Sequence, residues 1–180
     1  MIKVIGILAV VLTQAVFAVS LEKSERLELT PQLQKDMPWF VARDRSDKEP
    51  LSKKHLEALV KPQTKRVALV FFATWCIPCR EGIVLLRDNQ ADLDKNNVQV
   101  ILVNAGENDV TKIEEWIKAY GNVSWSVILD KFKNVQKNTG LLAGEATEIV
   151  FPRTILLDNK LKPLLLIGAE GKDWPAILWE

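Results

Sequence analysis

The sequence predicts an α/β domain in which a central mixed β-sheet carries helices on both faces. Three observations lead to this prediction: strand-like and helix-like segments alternate, two strand-like runs are apolar throughout, and a strand–turn–strand hairpin follows near the end. Strands that are apolar on both faces are typical of the covered middle of a sheet. The composition agrees, because 48% of the 180 residues are apolar and 26% are charged, as in ordinary globular domains.

The amino terminus predicts a secretory signal peptide over residues 1–18. Lys3 gives a positive start, residues 4–12 form an uninterrupted apolar run, and residues 16–18 are types that a signal peptidase accepts. We therefore expect cleavage after Ala18 and a periplasmic protein. The alternative is an uncleaved membrane anchor, although the apolar run is shorter than the roughly 20 residues that a span prefers. The formal charge of +1 gives no indication of a nucleic-acid partner.

The charged residues 19–37 are interpreted as a solvated lead-in, so the folded domain is expected to span residues 38–180. Residues 38–41 predict a short edge strand. Ser52 then precedes a helical segment that ends before Pro62, and serine is a favoured N-cap.

The remaining elements follow from periodicity and turn residues. A long helix is expected from Cys76, because Cys79, Ile83, Leu86, Gln90 and Leu93 recur at helical spacing. The expected strands are residues 66–73, 98–103, part of 123–130, 154–158 and 161–167, with Pro163 marking an edge. The expected further helices are residues 110–120, 132–138 and 174–180, while residues 141–150 show no clear period.

The chain has two cysteines, Cys76 and Cys79, and they lie where the first central strand gives way to the long helix. A CxxC pair in this context predicts a redox-active disulfide. The thiolate is the reactive form, and a helix amino terminus stabilises it through its partial positive charge and free amides. We expect Cys76 to be the more exposed, attacking thiol and the shielded Cys79 to resolve the mixed disulfide. Pro78 suits the first helical turn, where it removes no needed hydrogen bond.

Three alternative roles for the cysteine pair are weaker. A structural disulfide across so short a ring would restrain little chain entropy. A zinc site needs about four ligands, whereas the single histidine, His55, lies in a lysine-rich segment and is expected at the surface, so no metal site is predicted. Burial as mere apolar residues is disfavoured by the CxxC spacing and the strand–helix context.

The segment Phe71-Phe72-Ala73-Thr74-Trp75-Cys76-Ile77-Pro78-Cys79-Arg80 resembles the active-site signature of thioredoxin-like proteins. It is most similar to that of the exported TlpA/ResA-type thiol–disulfide oxidoreductases. The segment Phe151-Pro152-Arg153-Thr154 is similar to the cis-proline loop of that group. The resemblance covers the chain from about residue 38 onwards. It implies a thioredoxin-like fold and an enzyme whose redox group is the Cys76–Cys79 disulfide, with no other cofactor.

The same resemblance implies the residues that bind substrate. Pro152 is expected to be cis and to face the disulfide, and Phe151 to offer backbone groups to a substrate chain. Ile77 and Pro78 are expected to contact substrate as well. Trp75 is expected either to shield the disulfide or to pack as an ordinary core aromatic.

Three positions depart from the pattern of the family, and one is Val84, where a proline usually stands five residues after the second cysteine. Many thioredoxins have a buried aspartate six residues before the first cysteine, and many TlpA/ResA-type proteins have an asparagine there, where this chain has Val70. That group often has a glutamate three residues after the second cysteine, where this chain has Gly82. Glu81 lies beside it, on a different side of the helix. The sequence therefore identifies no group that exchanges a proton with Cys79.

The resemblance implies a reductant whose substrates are oxidised cysteine pairs of exported proteins, such as apocytochrome c before haem attachment. A membrane or periplasmic thiol reductant would be its second partner. Two alternatives stay open, a redox-silent binding or assembly module and a metal chaperone that uses the two thiolates. A peroxidase is disfavoured, because the sequence around Cys76 lacks the threonine-centred pattern of peroxiredoxins.

Overall fold

The computed structural model describes residues 22–142, 146 and 148–180. The predicted signal peptide, residues 1–18, lies outside the described residues, as does part of the segment 141–150. Within the part that is described, no helix is both long and apolar enough to cross a membrane.

The described residues contain eight strands that form one mixed sheet. The strands are β1 Arg26–Leu27, β2 Val41–Asp44, β3 Pro50–Ser52, β4 Arg66–Phe72, β5 Val98–Asn104, β6 Ser126–Leu129, β7 Arg153–Asp158 and β8 Pro163–Ile167. Their order across the sheet is β1-β8-β7-β4-β5-β6-β2-β3. Neighbours β4, β5 and β6 run parallel, and the other pairs are antiparallel. The predicted mixed sheet is confirmed.

Helices cover both faces of this sheet, as predicted. They are α1 Pro31–Lys35, α2 Lys53–Leu59, α3 Ile77–Asp88, α4 Gln90–Lys95, α5 Val110–Tyr120, α6 Asn134–Asn138 and α7 Trp174–Ile177. Side chains of β4 alternate between two buried clusters, with Val70 and Phe72 on one face and Leu69 and Phe71 on the other. Buried side chains of α3, α4, α5 and α7 belong to the first cluster, and those of α1, α2 and α6 to the second.

The sequence predicts a solvated lead-in before residue 38, and the structure contradicts this for the described part of that segment. Strand β1 extends the sheet by pairing with β8, and Glu25 exchanges backbone hydrogen bonds with Gly168 and Ala169, each at 2.8 Å. Leu33 and Met37 are only 1% exposed. The unpaired edge of β8 supplies the hydrogen-bond partners that this short segment lacks on its own. The folded domain therefore begins before residue 38.

Two smaller predictions also differ from the structure. The helix that follows Cys76 is interrupted at Asn89, whose Nδ2 donates to the carbonyl oxygen of Leu85 at 2.8 Å and so competes with the helical pattern. The sequence also predicts an edge strand at residues 38–41. In the structure this strand, β2, begins at Val41 and lies between β6 and β3, so the edge strand is β3.

Candidate active site

The two cysteines lie at the turn between β4 and α3, as the sequence predicts. Cys76 is the N-cap of α3, and it forms a disulfide with Cys79 in the first helical turn. The backbone amide of Cys79 donates to Cys76 Sγ at 3.2 Å. The sulfur of Cys76 thus receives one of the free amides of the helix amino terminus, which is the interaction that stabilises a thiolate there. Both residues are largely buried, with Cys76 4% and Cys79 1% exposed.

The peptide bond between Phe151 and Pro152 is cis, as the resemblance implies. Strand β7 starts at the next residue and pairs with β4, where Arg153 lies opposite Phe71. Because Phe71 lies near the end of β4 that leads into Cys76, the pairing brings the proline loop beside the disulfide turn. Pro152 itself is buried.

A shallow cleft opens beside the disulfide, and most of the predicted site residues line it. The lining residues are Trp75, Cys76, Ile77, Pro78, Ile149 and Phe151. Cys79 and Pro152 are also predicted site residues, and both are buried next to residues of the cleft. Ile149 is not among the predicted residues, because it lies in the segment 141–150 that shows no periodicity.

Trp75 is not a core aromatic. Its side chain is 56% exposed and packs edge-on against Phe151, with 5.3 Å between the ring centroids. Ile77, the residue after Cys76, is 60% exposed. Exposed apolar side chains of this size beside a buried sulfur are typical of a surface that binds another molecule.

A carboxylate that the sequence analysis missed supports the turn before Cys76. Both oxygens of Glu107 accept hydrogen bonds from Thr74, and Asn104 Nδ2 donates to Glu107 Oε2 at 2.7 Å. Asn104 ends β5, so the parallel pairing of β4 with β5 places these residues at the same edge of the sheet. The available signal was a polar residue at the end of a buried parallel strand, Asn104, with Glu107 in the loop that follows, since such residues gather at the carboxyl edge of the sheet.

A buried carboxyl group also lies behind the disulfide helix. Glu170 follows β8 and its carboxyl lies against Gly82 of α3, while Thr154 Oγ1 donates to Glu170 Oε1 at 3.2 Å. Burial raises the pKa of Glu170 well above its ordinary value, and the hydrogen bond from Thr154 offsets only part of that effect. No sequence pattern connects a loop residue after β8 with the cysteines.

The described residues contain no group of three or more His, Cys, Asp or Glu side chains arranged to hold a metal ion. His55 is exposed, and its Nδ1 accepts a hydrogen bond from the backbone amide of Ser52 at 3.2 Å, at the start of α2. The ring therefore caps a helix at the surface.

A family model described as the AhpC/TSA family matches residues 33–162. A curated relative, the thiol-disulfide oxidoreductase ResA of Bacillus thuringiensis subsp. konkukian (strain 97-27), is 27% identical over 148 residues, or 82% of this chain and 74% of the relative. This match agrees with the resemblance of the cysteine segment to TlpA/ResA-type proteins.

Solved structures share the fold. The thioredoxin domain of a thiol-disulfide oxidoreductase from Bacteroides vulgatus superposes with a TM-score of 0.59 at 17% identity and covers 79% of this chain and 92% of that one. A peroxidoxin from Mycobacterium tuberculosis superposes with a TM-score of 0.61 at 16% identity, covering 87% and 92%. At these identities the superpositions establish the thioredoxin-like fold alone.

Proposed function

The chain belongs to the AhpC/TSA family and is a thiol–disulfide oxidoreductase of the ResA type, and we propose that it works as an exported reductant of protein disulfides. The observation that carries the proposal is a disulfide at a helix amino terminus that lies directly beside an exposed apolar cleft. The cleft gives a substrate chain a surface to bind next to Cys76.

The reaction proceeds in two exchanges. In the reduced protein, the Cys76 thiolate attacks one sulfur of a substrate disulfide, forming a mixed disulfide and releasing the second substrate sulfur as a thiolate. Cys79 then attacks Cys76 Sγ, the bond between Cys76 and the substrate breaks, and the substrate leaves with both cysteines reduced. Two electrons pass from the Cys76–Cys79 pair to the substrate.

Trp75, Ile77, Pro78, Phe151 and Pro152 are proposed to bind the substrate chain. Their support is geometric, since four of them line the cleft beside Cys76 and Pro152 follows Phe151 in the same loop. The exposed ring of Trp75 would cover an apolar side chain of the substrate while a mixed disulfide forms at Cys76.

Export is supported by the pattern of residues 1–18, and an oxidising compartment is where protein disulfides persist. By resemblance to TlpA/ResA-type proteins, the proposed substrates are oxidised cysteine pairs of exported proteins, with apocytochrome c before haem attachment as one case. A membrane or periplasmic thiol protein would return the pair to the reduced form.

The proposal is tested by trapping the substrate complex. In Cys79→Ser the resolving thiol is absent, so the mixed disulfide at Cys76 should accumulate in the periplasm and be released by dithiothreitol. The matched control is Cys76→Ser, which should trap nothing. The proposed reductant function would be refuted if the wild-type protein reduced no test disulfide and Cys79→Ser accumulated no mixed disulfide.

The direction of electron flow is tested by the reduction potential of the Cys76–Cys79 pair. A reductant should have a potential near the value of about −270 mV found for thioredoxin, and a potential near about −120 mV would instead indicate an oxidant. A binding module would behave differently again, because the double variant Cys76→Ala, Cys79→Ala would then keep full function in cells.

A further inference from the structure

Behind the disulfide, two buried polar atoms lie close to the helix that carries Cys79. Among the described residues, Glu170 Oε2 and Trp174 Nε1 are the buried side-chain polar atoms without a hydrogen-bond partner. Glu170 as a residue is partly exposed, but its carboxyl oxygen Oε2 is buried. A buried carboxyl with an unpaired oxygen destabilises the fold, so its presence in a native structure needs an explanation.

The absence of a side chain at Gly82 makes room for this carboxyl. A Cβ atom added to Gly82 would collide with Glu170 Oε2 and would lie 3.2 Å from the carboxyl carbon and 2.9 Å from a ring carbon of Trp174. Gly82 is buried in the middle of α3, where glycine destabilises a helix relative to alanine. The glycine is therefore explained by the packing of Glu170.

The carboxyl is fixed from the sheet side by Thr154. This buried threonine on β7 lies directly opposite Val70 on β4, and its hydroxyl donates to Glu170 Oε1 at 3.2 Å. Directly opposed residues of a strand pair project on the same face. The Glu170 carboxyl thus lies between Thr154, which pairs with Val70, and Gly82. Val70 and Gly82 are two of the positions at which this chain departs from the thioredoxin and TlpA/ResA pattern.

Gly82 is also one helical turn from Cys79. Residues three apart on a helix are neighbours on one face, with roughly 5–6 Å between their Cβ positions. Because Glu170 Oε2 occupies the space where a Cβ of residue 82 would lie, it is about one helical turn away from Cys79 along α3. Cys79 faces the same buried cluster as Val70 and Trp174.

We propose that Glu170 exchanges the proton of Cys79 during opening and closing of the Cys76–Cys79 disulfide, and that Gly82 is the position that admits it. The inference deepens the proposed thiol–disulfide exchange and rests on it. It assigns the role to a residue of the loop after β8 and not to a residue of the helix or strand that flank the disulfide.

In the opening reaction, a reductant thiolate attacks Cys76 Sγ, the bond between the two cysteines breaks, and its electron pair goes to Cys79 Sγ. Glu170 gives its proton to that sulfur. The products are a mixed disulfide at Cys76, a neutral Cys79 thiol and a Glu170 carboxylate, so the negative charge of the attacking thiolate is conserved. In the closing reaction, the carboxylate takes the proton back and the Cys79 thiolate attacks Cys76 Sγ. The bond between Cys76 and the partner sulfur breaks, and the partner leaves as a thiolate.

The buried setting suits a proton carrier. Burial raises the pKa of Glu170 well above its ordinary value of 4.5, which brings it towards the pH at which the enzyme works and towards the pKa of a thiol. An exposed carboxyl would instead stay ionised and could not supply a proton to Cys79.

The titratable groups around Glu170 leave Cys79 as its partner. On α3 the titratable group on this face is Cys79, and β7 and α7 present Thr154 and Trp174, which do not titrate. In the amino-terminal segment, Glu25 Oε2 accepts from the backbone amide of Ala169 at 3.2 Å. Asp173 Oδ1 accepts hydrogen bonds from the backbone amide and the hydroxyl of Ser24, at 2.6 and 2.8 Å. Glu25 and Asp173 therefore each bind a different partner.

The test is the rate at which dithiothreitol opens the disulfide of the full mature chain, followed across a pH series and normalised to the dithiothreitol thiolate. In the wild type this rate should fall as the pH rises through the pKa of Glu170, because the protonated fraction falls. The nearly isosteric Glu170→Gln should lose the pH dependence and should open at least about 100-fold more slowly at low pH, the lower end of general-acid effects.

A relocation variant separates proton transfer from packing. In Gly82→Glu, Glu170→Ala the carboxyl is moved from the loop to the helix, so the falling pH profile should return. The control is Glu81→Gln, whose side chain is exposed on the same helix and should keep the wild-type profile. An unchanged profile in Glu170→Gln would overturn the inference alone, whereas a wild-type disulfide that no thiol opens at any pH would overturn the proposed function.

Discussion

Glu107 binds Thr74 through both of its carboxyl oxygens. Oε2 accepts from the Thr74 backbone amide at 2.7 Å and Oε1 from its hydroxyl at 2.5 Å. Thr74 lies two residues before Cys76, so the loop after β5 holds the turn that carries the attacking cysteine. Asn104 orients Glu107 in turn, since its Oδ1 accepts from the Glu107 amide at 3.1 Å.

Replacing Glu107 by alanine should therefore loosen the cysteine turn. We expect Glu107→Ala to lower the free energy of unfolding by about 2 kcal/mol, because three hydrogen bonds to a partly buried carboxylate are lost. Reduction of a protein disulfide should slow as well. Urea unfolding of the oxidised proteins measures the first effect. Glu115→Ala, an exposed change on α5, should stay within about 0.5 kcal/mol, and equal losses in both variants would contradict this role.

We expect Trp75 to contribute to the binding of protein substrates and not to the stability of the fold. Because its ring is 56% exposed beside Phe151, Trp75→Ala should leave the unfolding free energy nearly unchanged but should raise the KM for a protein disulfide. The reaction with dithiothreitol, which is too small to use the cleft, should be little altered. Val123→Ala is the control, since Val123 is 58% exposed and precedes β6, at the opposite end of the sheet. A similar loss with both kinds of substrate would argue against a docking role.

The lead-in segment should be part of the cooperative fold. We expect Leu33→Ala to lower the free energy of unfolding by roughly 2–5 kcal/mol, the usual cost of truncating a fully buried leucine. Lys35→Ala, an exposed change on the same helix, should have little effect. Thermal unfolding compares the two variants. If both melt like the wild type, α1 is not packed on the core as the structure shows.

Stability should depend on pH through Glu170. Its folded-state pKa lies above the ordinary 4.5 because the carboxyl is buried. The folded protein therefore binds more protons than the unfolded chain in this window. The contribution of Glu170 to stability is complete below about pH 4.5 and is lost as the pH rises through the folded-state pKa.

The measurement is the unfolding free energy of the wild type minus that of Glu170→Gln, followed from about pH 4.5 to about pH 8. The difference should fall with rising pH. Subtraction removes other groups that shift, such as Asp130, whose pKa burial also raises. A difference that stays constant over this range would show that the carboxyl is not buried in solution.

Sequence patterns predicted those elements whose signal is local. Strand β4 and helix α5 match their predicted ranges closely, because an apolar run of seven residues and a clean helical stripe leave few alternatives. The turn at Cys76 was found for the same reason, and the proline loop before β7 was found through its resemblance to the cis-proline loop of the TlpA/ResA group. Each of these features is identified by a few consecutive residues of the chain.

The elements that were missed depend on residues distant in sequence. Strand β1 exists because Arg26 meets Ile167 at the edge of the sheet, a pairing that no local pattern announces. Glu170 reaches the disulfide helix only because Gly82, on another element, leaves a space for it. In both cases tertiary contacts decide the structure, and propensity carries no information about them.

The contact between Gly82 and Glu170 has a consequence for how such chains vary over time. The space behind Cys79 holds one carboxyl, and it can be filled either from the helix or from the loop after β8. A glutamate at both positions would crowd two acids into one dry site, and an acid at neither would leave it vacant. We expect the two positions to change together among descendants of this sequence, as an either-or pair.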